Sequence, residues 1–130
     1  MRKMDRRNIV EKIKKDLPDI LAGDSKKLVE DAKDLGELLG KEKRVGGTGM
    51  TTSQIRNIFS EVKKMEFDKY KIDLLRPKLA YTAGRHREVL PLQEVLDKAI
   101  KEIDDDEGKF DRFKDFFEAI VAYHRKWGKD

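Results

Sequence analysis

The chain has 130 residues, 30 of them Lys or Arg and 26 Asp or Glu, for a formal net charge of +4, and it contains no cysteine. A single helical domain over residues 1–130 fits that length, which can bury about two thirds of the unfolded surface and leaves no room for a second core. Disulfides and thiolate ligands are excluded, and the charged start Met1-Arg2-Lys3-Met4-Asp5-Arg6-Arg7 leads into no apolar run, so a cytoplasmic protein without signal peptide or membrane span is expected.

Charged residues make up 43% of the chain and apolar ones 38%, yet Leu, Ile, Val and Phe recur along its whole length, which disfavours disorder. They recur at intervals of three and four without sustained alternation, so the expected fold class is all-α. Ile9, Val10, Ile13 and Leu17 form a first stripe, and Pro18 predicts that this helix stops near Asp16, with a turn over residues 18–23. Asp24 or Ser25 suits the cap of a second helix with a Leu28, Ala32, Leu35 and Leu39 seam, and Gly40 suits its C-terminal cap. Residues 41–49, charged and then Gly46-Gly47-Thr48-Gly49, read as a mobile loop.

Thr51 and Gln54 have capping-box spacing, followed by an apolar face of Ile55, Ile58, Phe59, Val62 and Met65 with Arg56, Ser60, Lys63 and Lys64 outside it. The helical pattern resumes at Phe67 and runs through Ile72, Leu75, Leu79 and Ala83, where Pro77 predicts a division into two shorter helices at Leu75 or Arg76. Gly84 then suits a left-handed cap, leaving Arg85, His86 and Arg87 exposed in the turn beyond. Pro91 opens a helix with Leu92, Val95, Leu96, Ala99, Ile100 and Ile103, and an acidic turn over residues 104–107 with Gly108 precedes the last one. That last helix carries Phe110, Phe113, Phe116, Phe117 and Trp127 and is expected to be the central core element. The sum is a compact bundle of about six helices with short connections.

Charge is unevenly spread. Residues 44–87 hold ten Lys or Arg against four Asp or Glu, a balance of +6, while the rest hold twenty against twenty-two, a balance of −2. A surface that attracts a polyanion should therefore lie in the middle third, with Arg56, Lys64, Arg76, Lys78, Arg85 and Arg87 among its cations; a merely solvated helix face is the other reading. Tyr81 beside the Arg85, His86, Arg87 turn could stack on a base, although a core position with only the hydroxyl at the surface is the expectation for it. Enzyme signatures are poor: Ser60 and Lys63 match a Ser-x-x-Lys string without its partner motifs, and the glycine run does not end in the Lys and Ser or Thr of a phosphate loop. The acidic run lacks calcium-loop spacing, and His124 falls on the apolar stripe of the last helix, so neither a catalytic residue nor a metal or other cofactor is expected.

Two strings, Met50-Thr51-Thr52-Ser53-Gln54-Ile55-Arg56 and Leu75-Arg76-Pro77-Lys78-Leu79-Ala80-Tyr81-Thr82-Ala83-Gly84-Arg85, resemble blocks of the small-subunit family of type III-A CRISPR-Cas (Csm) effector complexes. The resemblance covers residues 50–87; residues 1–45 and 88–130 match in length, helical character and the final aromatic helix. It implies a non-catalytic helical protein of antiviral defence, several copies of which line the interior of a filamentous ribonucleoprotein beside the backbone and large subunits, bound to guide RNA and target RNA. In that family the backbone subunit cuts target RNA and the large subunit holds the DNase and cyclic-oligoadenylate activities. Carried over by residue, the resemblance makes Arg56, Lys78, Arg85 and Arg87 the first RNA contacts, with Arg76 and Lys64 next, while Thr51, Gln54 and Ile55 serve capping and packing and Lys41, Lys43 and Arg44 are not carried over.

Two rivals stay open at this point. One is a stand-alone helical nucleic-acid-binding protein or a type III-B small subunit; the other is a small nuclease built on His86 and a nearby carboxylate. A dimer of the isolated chain, exchanging helices through residues 41–49, is also open.

Overall fold

A computed structural model of the chain describes residues 4–130. Six α-helices run in the order α1 (Arg6–Leu21), α2 (Ser25–Gly40), α3 (Thr52–Lys64), α4 (Lys69–Arg85), α5 (Leu90–Ile103) and α6 (Glu107–Trp127), with single 3₁₀ turns at Lys43–Val45 and Arg87–Val89. No strand occurs among the described residues. Five of the six starts share one device. Asp5, Asp24, Thr51, Asp68 and Asp106 each sit in extended backbone and accept a hydrogen bond from the amide three residues on, satisfying a donor that the helix itself leaves free. Thr51 and Gln54 complete the expected capping box, each side chain accepting from the other's amide. The sixth start, α5, has Pro91 in its first turn, where a missing amide costs nothing.

The prolines inside helices behave differently from expectation. The first helix does not stop at Asp16 but continues through Pro18 to Leu21, and α4 is one helix through Pro77 instead of two. Each proline removes one amide donor, from the carbonyls of Lys14 and Asp73 four residues earlier, yet both lie on exposed faces where water replaces the bond. On the inner faces, Ile13, Leu17, Ile20 and Leu21 and then Ile72, Leu75, Leu79 and Ala83 are buried on both sides of the proline. Continuing the helix keeps that apolar surface in the core, which outweighs one hydrogen bond made to water instead of to the chain. The turn after α1 shrinks accordingly to residues 22–24.

One cluster of buried apolar side chains joins all six helices. Phe110, Phe113, Phe116 and Phe117 of α6 are all at 1% exposure or less, so the last helix is the central element, while Trp127 at its end is only half-buried. Phe59 of α3 meets Phe117 edge-to-face at 5.1 Å between centroids, a favoured arrangement for the two quadrupoles. The acidic turn before α6 is short: Asp106 caps the helix, and Gly108 lies inside it and not before it.

Helices α2 and α6 meet backbone to backbone. A Cβ built on Gly36 would lie 2.8 Å from the His124 amide nitrogen and 2.8 Å from the Tyr123 Cβ; one on Gly40 would lie 2.9 Å from the Gly128 nitrogen. Gly40 is therefore helical, and the reason for glycine there is backbone contact and not a left-handed cap, which Lys41 replaces in extended conformation. Gly84, also expected as a left-handed cap, is likewise helical: α4 ends at Arg85 and His86 takes the extended cap position.

Residues 41–49 are not a free loop. Amides of Thr48 and Met50 donate to the carbonyls of Leu38 and Leu39 at 2.9 and 2.7 Å, and Met4 donates to Val45 at 3.0 Å. Arg6 donates from Nε to Gly46 O and from Nη2 to Gly47 O, at 3.1 and 2.8 Å. Gly47 packs so tightly that a Cβ would fall 2.1 Å from the Lys41 carbonyl, and Gly46 has a φ of +91°, which its lack of a side chain permits. Backbone packing thus anchors a segment that has little side chain to bury.

Helix directions follow from these contacts. The starts of α1, α3 and α5 and the ends of α2, α4 and α6 gather at one end of the bundle. At the other end Arg112 of α6 donates to Leu21 O at 2.9 Å, and Lys114 donates to the carbonyls of Lys63 and Met65.

Two buried titratable groups tilt stability with pH. His124 is fully buried and its Nε2–H donates to Met50 O at 2.8 Å; burial holds its pKa below the usual value, against the opposing hydrogen bond. The stability it contributes is present above pH ~6.5 and is lost as pH falls through the lowered folded value. Asp31 is 1% exposed, and burial, then a side-chain contact with Asp16, push its carboxyl up to about 7 despite Lys12 Nζ at 3.1 Å. Its contribution has the opposite sign: it is complete below the usual carboxylate value and declines as pH rises toward about 7.

Asp31→Asn should therefore flatten the fall in stability between about pH 4 and pH 7 and stabilise the fold by about 1–2 kcal/mol at pH 8, measured by urea unfolding at several pH values. Gly36→Ala should destabilise by about 1–3 kcal/mol because backbone atoms of α6 must move, whereas Gly84→Ala, where a Cβ meets nothing within 4 Å, should stabilise by about 0.5–1 kcal/mol. Equal and same-signed shifts of the two denaturation midpoints would refute the close-contact assignment.

Candidate nucleic-acid interface

The end of the bundle where α4 stops and α5 starts collects cations from four separate segments. Arg85 closes α4, His86 is its extended cap, and Arg87 opens the 3₁₀ turn that leads into α5. All three are exposed, as the sequence predicts. Arg6 and Arg7 of α1 join Arg87 across a groove floored by Val10, Leu90 and Pro91. Gln54 of α3 donates from Nε2 to Glu88 at 2.9 Å, which ties the capping-box helix to the same turn and holds the Glu88 carboxyl below the usual range. Neither Arg6 nor Arg7 is suggested by the local charge count, since only the side-by-side packing of α1 and α5 brings them here.

Several cations at this end are already engaged. Arg6 is bound to the residue 46 and 47 carbonyls, and Lys41 pairs with Glu37 at 2.8 Å. Lys129 and Arg44 both bond Glu42, at 2.6 and 2.7 Å, and hold its carboxyl down at about 2. Among the described residues, Arg7, Lys43, Arg85 and Arg87 form no ion pair.

The six cations expected from the sequence divide into three groups. Arg85, Arg87 and Lys78 come together: Lys78 lies seven residues before Arg85, two turns back on the same side of α4, and is exposed without a charged partner. Arg56 is exposed on the second turn of α3, away from buried Ile55 and Val62. Arg76 and Lys64 stand apart. Arg76 donates from Nε to Asp97 Oδ1 at 2.8 Å and joins α4 to α5; against the upward push of burial, this bond holds the Asp97 carboxyl low. Lys64 is the last residue of α3, at the far end of the bundle and about 20 Å along the helix from the capping box.

Tyr81 departs from expectation. It is no core residue: it is 68% exposed, with the Arg85 guanidinium carbon 5.9 Å from its ring centroid. Its position opposite Leu79 and Ala83 follows once α4 is continuous, because the register set by Ile72 and Leu75 then carries unbroken past Pro77.

Histidine chemistry finds no partner set. His86 and Glu61 line one cleft between α3 and α4, with Asn57 and Thr82, but no hydrogen bond or ion pair joins them. No group of three or more His, Asp or Glu suited to a metal ion occurs among the described residues. Nor is any helix among them long and apolar enough to cross a membrane.

Neither a curated protein nor a solved structure matches the chain. The profile of the family described as Csm2 Type III-A does, over residues 22–130, which takes in α2 to α6 and both sequence blocks. The chain belongs to that family, the small subunit of type III-A CRISPR-Cas effector complexes.

Proposed function

We propose that this chain acts in the cytoplasm as one non-catalytic helical domain of the effector complex, binding guide RNA and target RNA without sequence preference. The observation that carries the proposal is the group of Lys78, Arg85 and Arg87, exposed and free of carboxylate partners within the two sequence blocks and the turn that follows them, where Arg76 is paired with Asp97. An unpaired guanidinium can release counterions from a phosphate without first breaking an internal bond. Arg56, exposed on the second turn of α3, is a further RNA contact in this proposal. Arg76, bonded to Asp97, acts mainly by positioning α4, and Lys64 at the distant end makes at most a separate contact.

Binding of this kind reads phosphate spacing and 2′-hydroxyls, because guide pairing supplies the sequence information. Few contacts per copy make the single subunit a weak binder, and copies arranged along one strand beside the backbone and large subunits add their contacts. Family membership favours this over the stand-alone and type III-B readings, and His86 and Glu61, which share a cleft without a hydrogen bond between them, lend a nuclease no support.

A complex assembled with Arg56→Ala, Lys78→Ala and Arg85→Ala together should bind target RNA more weakly, with the slope of log K against log salt reduced by about 2–3. Its thermal midpoint should stay within about 2 °C of the parent's, because all three side chains are exposed. Unchanged affinity and slope would sink the proposal.

A further inference from the structure

Four large apolar side chains are exposed among the described residues, and three of them, Tyr70 at 75%, Leu74 at 41% and Tyr81 at 68%, belong to α4. Their spacing places all three on one side of the helix, opposite the buried stripe of Ile72, Leu75, Leu79 and Ala83. Lys78 and Arg85 lie beside them, Lys71 lies on the adjoining flank, and none of the three forms an ion pair. The only carboxylate in α4 is Asp73, which projects to the flank and is held by Lys69 at 3.0 Å. In a chain that is 43% charged, a face of two open phenol rings with Lys78 and Arg85 free beside them, and its one flanking acid already paired, is unlike its surroundings.

We infer that this outer face of α4 is a stacking platform for unpaired bases of a single strand of RNA. Tyr81 and Tyr70 supply the ring surfaces, and Lys71, Lys78 and Arg85 contact the flanking phosphates. The inference rests on the RNA-binding function proposed above and gives this face unpaired segments to hold in addition to the paired ones. A duplex hides its base faces in its own stack and meets a protein with phosphates and hydroxyls; an open tyrosine ring matches only a base that is free to lie on it. Arg85, 5.9 Å from the Tyr81 centroid, adds a cation beside the ring, where it can bond the phosphate of the stacked nucleotide. The two rings are eleven residues apart, about 16 Å along the axis, which is roughly the rise of five stacked nucleotides. A protein helix is a poorer fit, because the face is one convex helix with hydroxyls at its ring tips and cations along its length, and no apolar groove accompanies it.

The test uses the full chain with a single-stranded oligoadenylate carrying 2-aminopurine, and a duplex RNA of the same length. Tyr81→Leu should weaken single-strand binding roughly tenfold and abolish the 2-aminopurine quenching, Tyr70→Leu should do the same less strongly, and Tyr81→Phe should restore both to within about twofold of the parent. The salt slope should not change with any of these, whereas Lys78→Ala and Arg85→Ala should each lower it by about 0.7. Duplex binding should be indifferent to the tyrosines. If Tyr81→Leu and Tyr70→Leu leave single-strand affinity and quenching intact while the cation variants weaken binding, stacking is refuted and RNA binding stands. If the cation variants are silent as well, both fall. Should the tyrosine variants instead release a protein subunit from the assembled complex with RNA binding unaltered, the face is a protein contact and the inference is overturned.

Discussion

The arrangement depends on how closely α2 can approach α6. Gly36 and Gly40 remove the two side chains that would stand between the helices, so the α2 backbone rests against residues 120–128 at distances no Cβ would allow. Gly128 makes room for a different neighbour, because a Cβ there would fall 2.2 Å from the His124 ring at the end of α6 itself. With the helices this close, the His124 ring lies fully buried beneath Met50 and bonds its carbonyl.

That contact sets the path of the chain between α2 and α3. The Thr48 and Met50 amides close on the last carbonyls of α2, which are orphaned at any helix C-terminus, and Thr52 donates to the Lys129 carbonyl beyond α6 at 2.9 Å. The start of α3 is thereby fixed before its own side chains contribute. Its Gln54 then reaches Glu88, and the turn bearing Arg85 and Arg87 is located relative to α3. A glycine-rich segment without a side-chain anchor thus becomes the joint between the packing of α2 on α6 and the basic end of the bundle.

Charge acquires meaning only after pairing is known. The count of Lys and Arg along the chain does not distinguish Arg76, committed to Asp97, from Lys78, two residues later and free. Nor does it separate Arg44, shared with Lys129 on Glu42, from Arg87. An exposed pair contributes little to stability, but it does lower the free charge that a phosphate would meet. Within the basic middle third, the charge open to an outside anion is therefore the remainder after internal pairing, which withdraws Arg44, Lys69 and Arg76 and leaves Lys78, Arg85 and Arg87 among the free cations.

The sequence by itself determined the helical class, the capped start at Thr51 and one at Asp24 or Ser25, the phenylalanine-rich core helix, the exposure of Arg85, His86 and Arg87 and the family, because caps, three-four spacing and motif strings are local. It misplaced the breaks at Pro18 and Pro77, the cap roles of Gly40 and Gly84, the order of residues 41–49 and the burial of Tyr81. Each of those turns on a non-local balance. Whether a proline ends a helix depends on the core surface the continued helix covers, and whether a glycine caps or packs depends on what backbone lies opposite. Only the tertiary structure brought Arg7 beside Arg87 and withdrew Arg76 into a bond with α5, because the partners in both cases come from helices distant in the chain.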